Sequence, residues 1–234
     1  MLKKRIIPIQ LLIDNRLVKT IEFGNYRDVG NPVSSSKIYN DSDADELIFL
    51  NINRTERSID PMLSLIKRVS EVCFMPLSLG GGIKTLDDAT RLIHNGADKI
   101  VLNSIVYRDV KLLEDIAYKF GNQAVVVSID VRKDNINGDY KLYSDCGRKL
   151  ERVDLKTHLT NVESSGAGEI IITSIDSDGK MNGYDKDLIR ITVDNTTIPI
   201  IGAGGAGTFN HLKEAFLETD VSALACGSLF NFGD

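Results

Sequence analysis

The 234-residue chain has no tryptophan, few aromatic residues (6%), five prolines and three cysteines. No apolar run approaches the roughly 20 residues of a membrane-spanning helix, and MLKKRIIPIQLLID returns to charge without the cleavage site of a signal peptide. Cys73, Cys146 and Cys226 are an odd number at wide spacings, which is not typical of a disulfide framework or a metal site. These absences predict a cytoplasmic protein with no membrane partner, no metal and no cofactor.

What is present is typical of a globular protein. Hydrophobic residues make up 42% of the chain and charged residues 26%, with a formal net charge of −5. The mild acidity and the scattered lysines argue against a nucleic-acid-binding surface. At about 150 residues per domain, the length falls between one domain and two.

Short runs rich in Ile, Val and Leu alternate with amphipathic stretches along the chain. Some runs, such as Glu169–Ile172 and Ala124–Val127, are almost wholly apolar, which is typical of parallel strands buried on both faces. We expect strands at Arg5–Ile13, Glu46–Asn51, Pro76–Leu79, Asp98–Leu102, Ala124–Asp130, Glu169–Thr173, Pro199–Gly202 and Ser222–Ala225. We expect helices at Met62–Val72, Leu86–Asn95, Val110–Phe120, Leu155–Ser165, Lys186–Thr192 and Phe209–Glu218. This alternation predicts a (β/α)8 TIM barrel, with a doubly wound open sheet as the alternative.

An internal repeat favours the barrel. Three landmarks recur at offsets of 123 or 124 residues: Glu46–Asn53 and Glu169–Asp176, Gly80 and Gly204, Asn103-Ser104 and Gly227-Ser228. Several landmarks at one spacing indicate two halves built alike, each with four βα units. We therefore expect one domain, 1–234, composed of half-barrels 1–122 and 123–234.

Glycine runs follow strand ends in both halves. Backbone N–H groups in such loops can approach an anion closely, and at the top of a barrel they form phosphate sites. The candidate residues are Gly81, Gly82, Asn103 and Ser104 in the third and fourth loops, and Gly204, Gly205, Gly227 and Ser228 in the seventh and eighth. Two facing sites predict a long ligand with a phosphate at each end. The alternative is that these glycines only form tight turns.

Eleven segments stand in one order between Lys4 and Phe230: KRII, RLVKT, DELIFL, GGGI, GADKI, NQAVVVSID, GAGEI, TSIDSDG, GYD, TIPII and GGAG. This set resembles the cyclase subunit of imidazole glycerol phosphate synthase, the HisF family of histidine biosynthesis. The resemblance implies a lyase subunit of a glutamine amidotransferase. A HisH-like glutaminase would dock at the bottom of the barrel, and ammonia would pass through the barrel interior to a bis-phosphorylated nucleotide.

The resemblance also assigns residues at the lower end. The family's charged ring, an ammonia gate, is matched by Arg5, Glu46, Lys99 and Glu169. Each lies at a strand start, so alternation can turn all four side chains toward the axis, where two acids balance two bases. A ring of ion pairs that only stabilises the barrel is the alternative. Asp98 and Gln123 match the glutaminase-docking face.

One of the family's two catalytic carboxylates is absent. Asp130 matches the acid that ends the fifth strand, but Leu11 stands where the first strand carries the other, and Asn51 replaces a second-strand aspartate. Loss of a positioned acid or base lowers a rate about 10²–10⁴-fold, so the cyclase activity of this chain is doubtful unless Asp14 substitutes.

Other residues match those that surround the substrate at the top of the barrel in this family. Lys19 matches a lysine of the long first loop, 14–31, which we expect to be mobile without ligand. Asp178 matches an active-site carboxylate, and Asn51, Thr173 and Ser174 are expected to line the substrate. The three histidines are expected on exposed helix surfaces, outside the chemistry: His94, His158 and His211.

Two variant segments point to a subgroup. Pro8–Leu12 reads PxxLL and Phe74–Pro76 reads FMP, which resembles HisF-like barrels of acetamidino-sugar modification systems in surface polysaccharide or flagellin glycan pathways. That resemblance implies an ammonia relay to an ATP-dependent amidotransferase. A genuine cyclase and a non-catalytic scaffold remain alternatives. The family's last helix is expected to be absent, because the chain stops at Asp234.

Overall fold

Strands and helices alternate along the chain much as the hydrophobic pattern predicts. The computed structural model describes residues 3–55 and 58–232. Its strands are β1 Arg5–Ile13, β2 Arg16–Thr20, β3 Tyr26–Gly30, β4 Leu47–Asn51, β5 Leu77–Gly80, β6 Lys99–Leu102, β7 Val125–Lys133, β8 Tyr140–Ser144, β9 Lys149–Leu150, β10 Glu169–Ser174, β11 Ile200–Ala203 and β12 Ala223–Cys226. Its α-helices are α1 Pro32–Asp41, α2 Asp60–Val69, α3 Leu86–His94, α4 Val110–Phe120, α5 Leu155–Ser164, α6 Lys186–Asp194, α7 Phe209–Glu218 and α8 Ser228–Phe232.

Eight of the strands in these described ranges form a closed parallel barrel. The hydrogen-bonded order is β1, β4, β5, β6, β7, β10, β11 and β12, and β12 pairs with β1 again. The pairings of β6 with β7 and of β12 with β1 join the first four barrel strands to the last four. The predicted (β/α)8 barrel is confirmed, and the open-sheet alternative is wrong because no barrel strand is left with an unpaired edge.

The barrel has separate apolar layers inside and outside. Alternate side chains of the strands point to the axis, where Ile7, Ile48, Val101 and Ile171 pack in a small interior cluster. The intervening side chains, such as Phe49, pack against the surrounding helices in a larger cluster. Burial on both faces explains the continuous Ile, Val and Leu runs of these strands. None of the helices in the described residues is long and apolar enough to cross a membrane.

The stretch 14–31, expected as a long loop, contains two paired strands instead. Its first strand, β2, pairs antiparallel with the end of β1, and β3 pairs with β2. The turn between Ile13 and Arg16 consists of Asp14 and Asn15, both with positive φ (48° and 61°). This is the type I′ geometry that matches the twist of paired strands, and Asp and Asn tolerate it. A second hairpin, β8 and β9, continues β7 in the same way.

Two helices differ from expectation. The sequence pattern gave no sign of α1, because Pro32–Asp41 is polar; the helix begins instead on a cap, with the Asn31 side chain accepting hydrogen bonds from the N–H groups of Val33 and Ser34. A helix was not expected after the eighth barrel strand, yet the short α8 follows β12 directly.

Candidate active site and barrel interior

The carboxyl ends of the barrel strands surround a cleft of about 520 Å³, which we call the mouth. All eight residues expected to bind phosphate line it: Gly81, Gly82, Asn103, Ser104, Gly204, Gly205, Gly227 and Ser228. Asn51 and Thr173 line it as well. Ser174 does not: it follows Thr173 on β10 and therefore points to the other face of the strand, where its hydroxyl bonds to Ser177 (Oγ–Oγ 3.2 Å).

The glycine loops bring backbone segments into close contact. A Cβ on Gly81 would lie 2.1 Å from the carbonyl oxygen of Asn51, and one on Gly205 would lie 2.0 Å from that of Gly183. Both glycines also have positive φ, at 96° and 104°. These glycines therefore form tight turns. Because they have no side chains, no side chain covers their backbone at the mouth.

Near the end of β7, the carboxylate of Asp130 faces the mouth, and this residue is buried. Burial raises its pKa to about 7, with a smaller opposing effect from the amide of Asn103, whose Nδ2 lies 2.7 Å from Oδ2, and a further increase from the charge of Asp178. A carboxyl group with this pKa can both take up and release a proton near neutral pH, as a general acid or base must.

The first strand offers no partner carboxylate. Strand alternation turns Arg5, Ile7, Ile9 and Leu11 toward the axis, and Leu11 lines the mouth. Asp14 does not line it: this residue is exposed in the β1–β2 turn and accepts a hydrogen bond from Asn53 (Nδ2–Oδ1 2.7 Å). Asp14 is therefore not positioned to replace the missing acid.

Lys19 and Asp178 hold the hairpin against the mouth. Lys19, on β2, donates to the carbonyl oxygen of Ile9 (3.2 Å), and burial lowers its pKa to about 8, against the opposing charges of Asp178 and Cys226. Asp178 accepts hydrogen bonds from the Thr20 hydroxyl (2.7 Å) and the Phe23 N–H (3.4 Å), and burial raises its pKa. The absence of a side chain on Gly227 makes room for the Lys19 ammonium.

Four charged side chains close the opposite end of the barrel interior. Arg5 and Lys99 each contact both Glu46 and Glu169, so the four side chains form a continuous ring. The Lys99 ammonium lies 2.9 Å from each carboxylate, and Arg5 lies 3.0 Å from that of Glu46. The hydroxyl of Ser78 donates to Glu46 at 2.6 Å. Two cations balance two buried anions, which keeps the ring neutral overall.

Between this charged ring and the mouth, the interior is lined by aliphatic side chains such as Ile48 and Val126. Such an interior suits a small neutral molecule and excludes ions, because an ion would lose its hydration there without a partner. Asp98 and Gln123 are exposed beside the ring end of the barrel, just before β6 and β7. Each also serves the fold: Asp98 accepts from the Leu77 N–H (2.8 Å), and Gln123 donates to the Phe120 carbonyl (3.0 Å).

The structure adds residues that sequence reasoning missed. Arg54, Lys84 and Arg108 line the mouth from loops after barrel strands. The sequence signal that could have identified these three residues is their position shortly after the ends of the predicted strands. His158, expected on an exposed surface, is 4% exposed, and its ring stacks on that of Tyr107. In the described residues, no cluster of three or more His, Cys, Asp or Glu side chains could hold a metal ion.

Comparisons with known proteins agree with this geometry. The family model for histidine biosynthesis proteins matches residues 5–234. The imidazole glycerol phosphate synthase subunit HisF of Streptococcus sanguinis is 40% identical over 233 residues, which cover 100% of this chain and 92% of the relative. The subunit of Exiguobacterium sibiricum is 43% identical over 232 residues (99% and 92%), and that of Trichormus variabilis 39% over 235 (100% and 91%).

These matches extend through every barrel strand and through both sets of mouth loops, so they cover the scaffold and the site together. The chain therefore belongs to the histidine biosynthesis protein family, within which it is a HisF-type barrel.

Proposed function

We propose that this barrel receives ammonia at its charged ring, conducts it through the apolar interior and delivers it at a mouth that binds a phosphorylated ligand, without itself carrying out the cyclase reaction. The observation that carries the proposal is the pairing of a complete ring and interior with a mouth in which Leu11 faces Asp130 from β1.

The ammonia source is a HisH-like glutaminase bound as a heterodimer at the ring end. The names of the relatives, subunits of imidazole glycerol phosphate synthase, support a partner. The exposed side chains of Asp98 and Gln123 beside the ring are available to it. Ammonia crosses the ring when a cation and a carboxylate separate, and the aliphatic interior keeps it neutral and undiluted.

At the mouth, the two glycine loops bind the phosphates of the ligand through backbone N–H groups, with Asn103, Ser104 and Ser228 adding side-chain donors. Asp130 supplies one proton-transfer group and Lys19 a cation, but cyclisation in this family uses a second carboxylate from the first strand. The acceptor of the nitrogen is then a separate ATP-dependent amidotransferase that acts in acetamidino-sugar biosynthesis. The PxxLL and FMP segments support this assignment.

A second candidate is the cyclase activity of histidine biosynthesis itself. Relatives such as the HisF subunits of Streptococcus sanguinis and Exiguobacterium sibiricum, at 40% and 43% identity over nearly the full chain, favour it. In that case Lys19 or Asp178 must take over the proton transfer that the first-strand acid performs in the family.

The decisive experiment combines the bis-phosphorylated nucleotide substrate of the family with the purified chain and an excess of ammonium salt, which removes the need for a glutaminase. We expect the nucleotide to bind, as measured by calorimetry, and no turnover. Turnover at rates typical of the family would show that the chain is a cyclase. Absence of phosphate-ester binding, together with no association with the cognate glutaminase at micromolar concentration, would show a scaffold.

A further inference from the structure

His211 lies beside the glycine loop that follows β11, one of the two such loops at the mouth. The residue is half-buried, although the sequence pattern predicted an exposed position. Thr208 caps α7, and its hydroxyl accepts a hydrogen bond from the His211 N–H at 3.3 Å. The imidazole reaches back along the chain, where its Nδ1 accepts the N–H of Gly207 at 3.2 Å. This side chain therefore holds the end of the glycine loop.

The imidazole ring also contacts the neighbouring loop. A Cβ on Gly183 would lie 3.7 Å from the Cδ2 of His211, which is ordinary van der Waals contact. Gly183 is itself bonded to the glycine loop, because its N–H donates to the carbonyl oxygen of Gly205 at 2.8 Å. His211 thus supports the loop at two points, directly at Gly207 and through Gly183 at Gly205.

Two backbone N–H groups of this loop are open to a ligand. Gly205 and Ala206 both line the mouth, and their N–H groups donate to no protein atom in the part of the chain that the structure describes. The N–H of Gly207, in contrast, is engaged by His211. Backbone N–H groups just before a helix N-terminus bind anions well. The direction of these two groups depends on the loop conformation that His211 holds.

The glycine loop of the other half-barrel ends in the same way with a different residue. Thr85 caps α3, and Asp88 accepts the N–H groups of Lys84 (2.9 Å) and Thr85 (3.0 Å). Asp88 and His211 are equivalent in the internal repeat, at an offset of 123 residues. In both halves, a side chain in the first turn of the helix holds the N–H that precedes the helix cap.

We infer that His211 is a positioning residue for the anion site of the seventh and eighth loops, through the hydrogen bond from the Gly207 N–H to its Nδ1. The inference rests on the proposed binding of phosphate at the mouth and adds a side chain that lies behind the loop. It requires the imidazole proton on Nε2, since only an unprotonated Nδ1 accepts a hydrogen bond. Without this acceptor, Gly207 is released and the N–H groups of Gly205 and Ala206 lose their alignment.

Titration of the ¹⁵N-labelled full chain with inorganic phosphate tests this role, because amide NMR signals report each loop separately. The signals of Gly205 and Ala206 follow the site that His211 supports, and those of Gly82 and Ser104 follow the other site. His211→Leu removes the acceptor and keeps an apolar side chain in its place. Phosphate should bind about fivefold more weakly at Gly205 and Ala206, the effect of one neutral hydrogen bond, and unchanged at the other site.

His211→Asn separates positioning from packing. Its side-chain oxygen can accept the N–H of Gly207, just as the short side chain of Asp88 accepts that of Lys84. This variant should recover most of the phosphate affinity that His211→Leu loses, although it lacks the ring. His94→Leu, at an exposed position on α3, is the matched control and should change neither site.

Three results would overturn the inference while leaving phosphate binding itself intact. The first is an unchanged affinity at Gly205 and Ala206 in His211→Leu, which would mean that His211 only caps α7. The second is an equal loss at both sites. The third is a His211→Asn variant that binds as weakly as His211→Leu. A wild type that binds no phosphate at this loop would instead refute the proposed anion site, and the inference with it.

His211→Ala provides the same comparison if His211→Leu does not fold, because alanine is well tolerated in a helix. It also lacks the acceptor, so its phosphate affinity at Gly205 and Ala206 should fall as far. An Ala variant with wild-type affinity at these two residues would overturn the inference.

Discussion

The side-chain nitrogen of Asn103 lies 2.7 Å from the Oδ2 of Asp130, so a residue of the expected phosphate loop donates a hydrogen bond to the acid that β7 contributes to the mouth. This bond favours the ionised carboxylate and partly offsets the effect of burial on its pKa. A phosphate that draws the Asn103 amide to itself would therefore leave Asp130 more readily protonated. Ligand binding and proton affinity are coupled through one amide group.

Asn103→Ala tests this coupling. Without the amide donor, the pKa of Asp130 should rise above its value of about 7. The measurement is a ¹³C NMR titration of the aspartate carboxyl carbons. Asn195→Ala, at the end of α6 and far from the mouth, should leave the Asp130 titration unchanged. An unaltered pKa in Asn103→Ala would show that the hydrogen bond has no energetic weight.

Asp130 also predicts a dependence of stability on pH. Its pKa rises from 3.8 to about 7 on folding, so the folded state binds the proton more tightly than the unfolded state. The acid therefore lowers the free energy of unfolding progressively as the pH rises from about 4 to 7. Asp130→Asn should be more stable than the wild type at about pH 8, by roughly 2–4 kcal/mol, and equal to it near pH 4.

Urea unfolding at a series of pH values measures this difference. Asp41→Asn, an exposed position on α1, serves as the control and should show no such trend. A difference between Asp130→Asn and the wild type that does not grow with pH would contradict the raised pKa.

The barrel could be predicted from the sequence because its strands are buried on both faces. Runs such as Glu169–Ser174 and Val125–Lys133 leave little choice but a parallel sheet, and strand alternation then places the side chains of Arg5 and Lys99 on the axis. The hairpin β1–β2 and helix α1 were not predictable in this way, since one depends on a two-residue Asp-Asn turn and the other on an Asn cap. Both signals involve only one or two residues, and neither produces a periodic pattern of hydrophobic residues.

The site was predictable only where it is built on strands. The side-chain direction of Leu11 follows from its register on β1, and the glycine loops follow from the repeat. The burial of His158 and the approach of Arg54 to the mouth depend on how loops and helices pack around the barrel. No pattern within one element determines such contacts.

The charged ring predicts an asymmetric response to substitution. Lys99→Met leaves two buried carboxylates with one cation, the guanidinium of Arg5, so the free energy of unfolding should fall by about 1–3 kcal/mol. Lys111→Met removes a lysine of which 74% is exposed and which pairs with Asp115; it should change stability by less than about 0.5 kcal/mol. Chemical denaturation of both variants gives the comparison, and equal losses would mean that the ring is no more than a surface ion pair.

Gly205→Ala tests the anion site of the seventh and eighth loops. A Cβ there would lie 2.0 Å from the carbonyl oxygen of Gly183, so the loop must move and its N–H groups lose their alignment. We expect the stoichiometry of inorganic phosphate, measured by calorimetry, to fall from two sites to one. Gly138→Ala is the matched control, since its φ is also positive (77°) but nothing lies within 4 Å of the new Cβ. If Gly205→Ala still binds two phosphates, these glycines form turns but do not bind the anion.

The last prediction concerns Leu11, which lines the mouth from β1, whereas Asp130 lines it from β7. If the missing carboxylate is what separates this barrel from a cyclase, Leu11→Asp should gain measurable turnover of the bis-phosphorylated nucleotide with excess ammonium salt. The gain should be partial, because Asn51 also departs from the family. Leu11→Asn, which has nearly the same shape but no proton to transfer, is the matched control and should stay inactive. A positioned acid or base contributes about 10²–10⁴-fold, so adding Asp130→Asn to Leu11→Asp should remove most of the gain. If the unmodified chain turns the nucleotide over as fast as Leu11→Asp does, the first-strand carboxylate is dispensable here and the chain is a cyclase by another route.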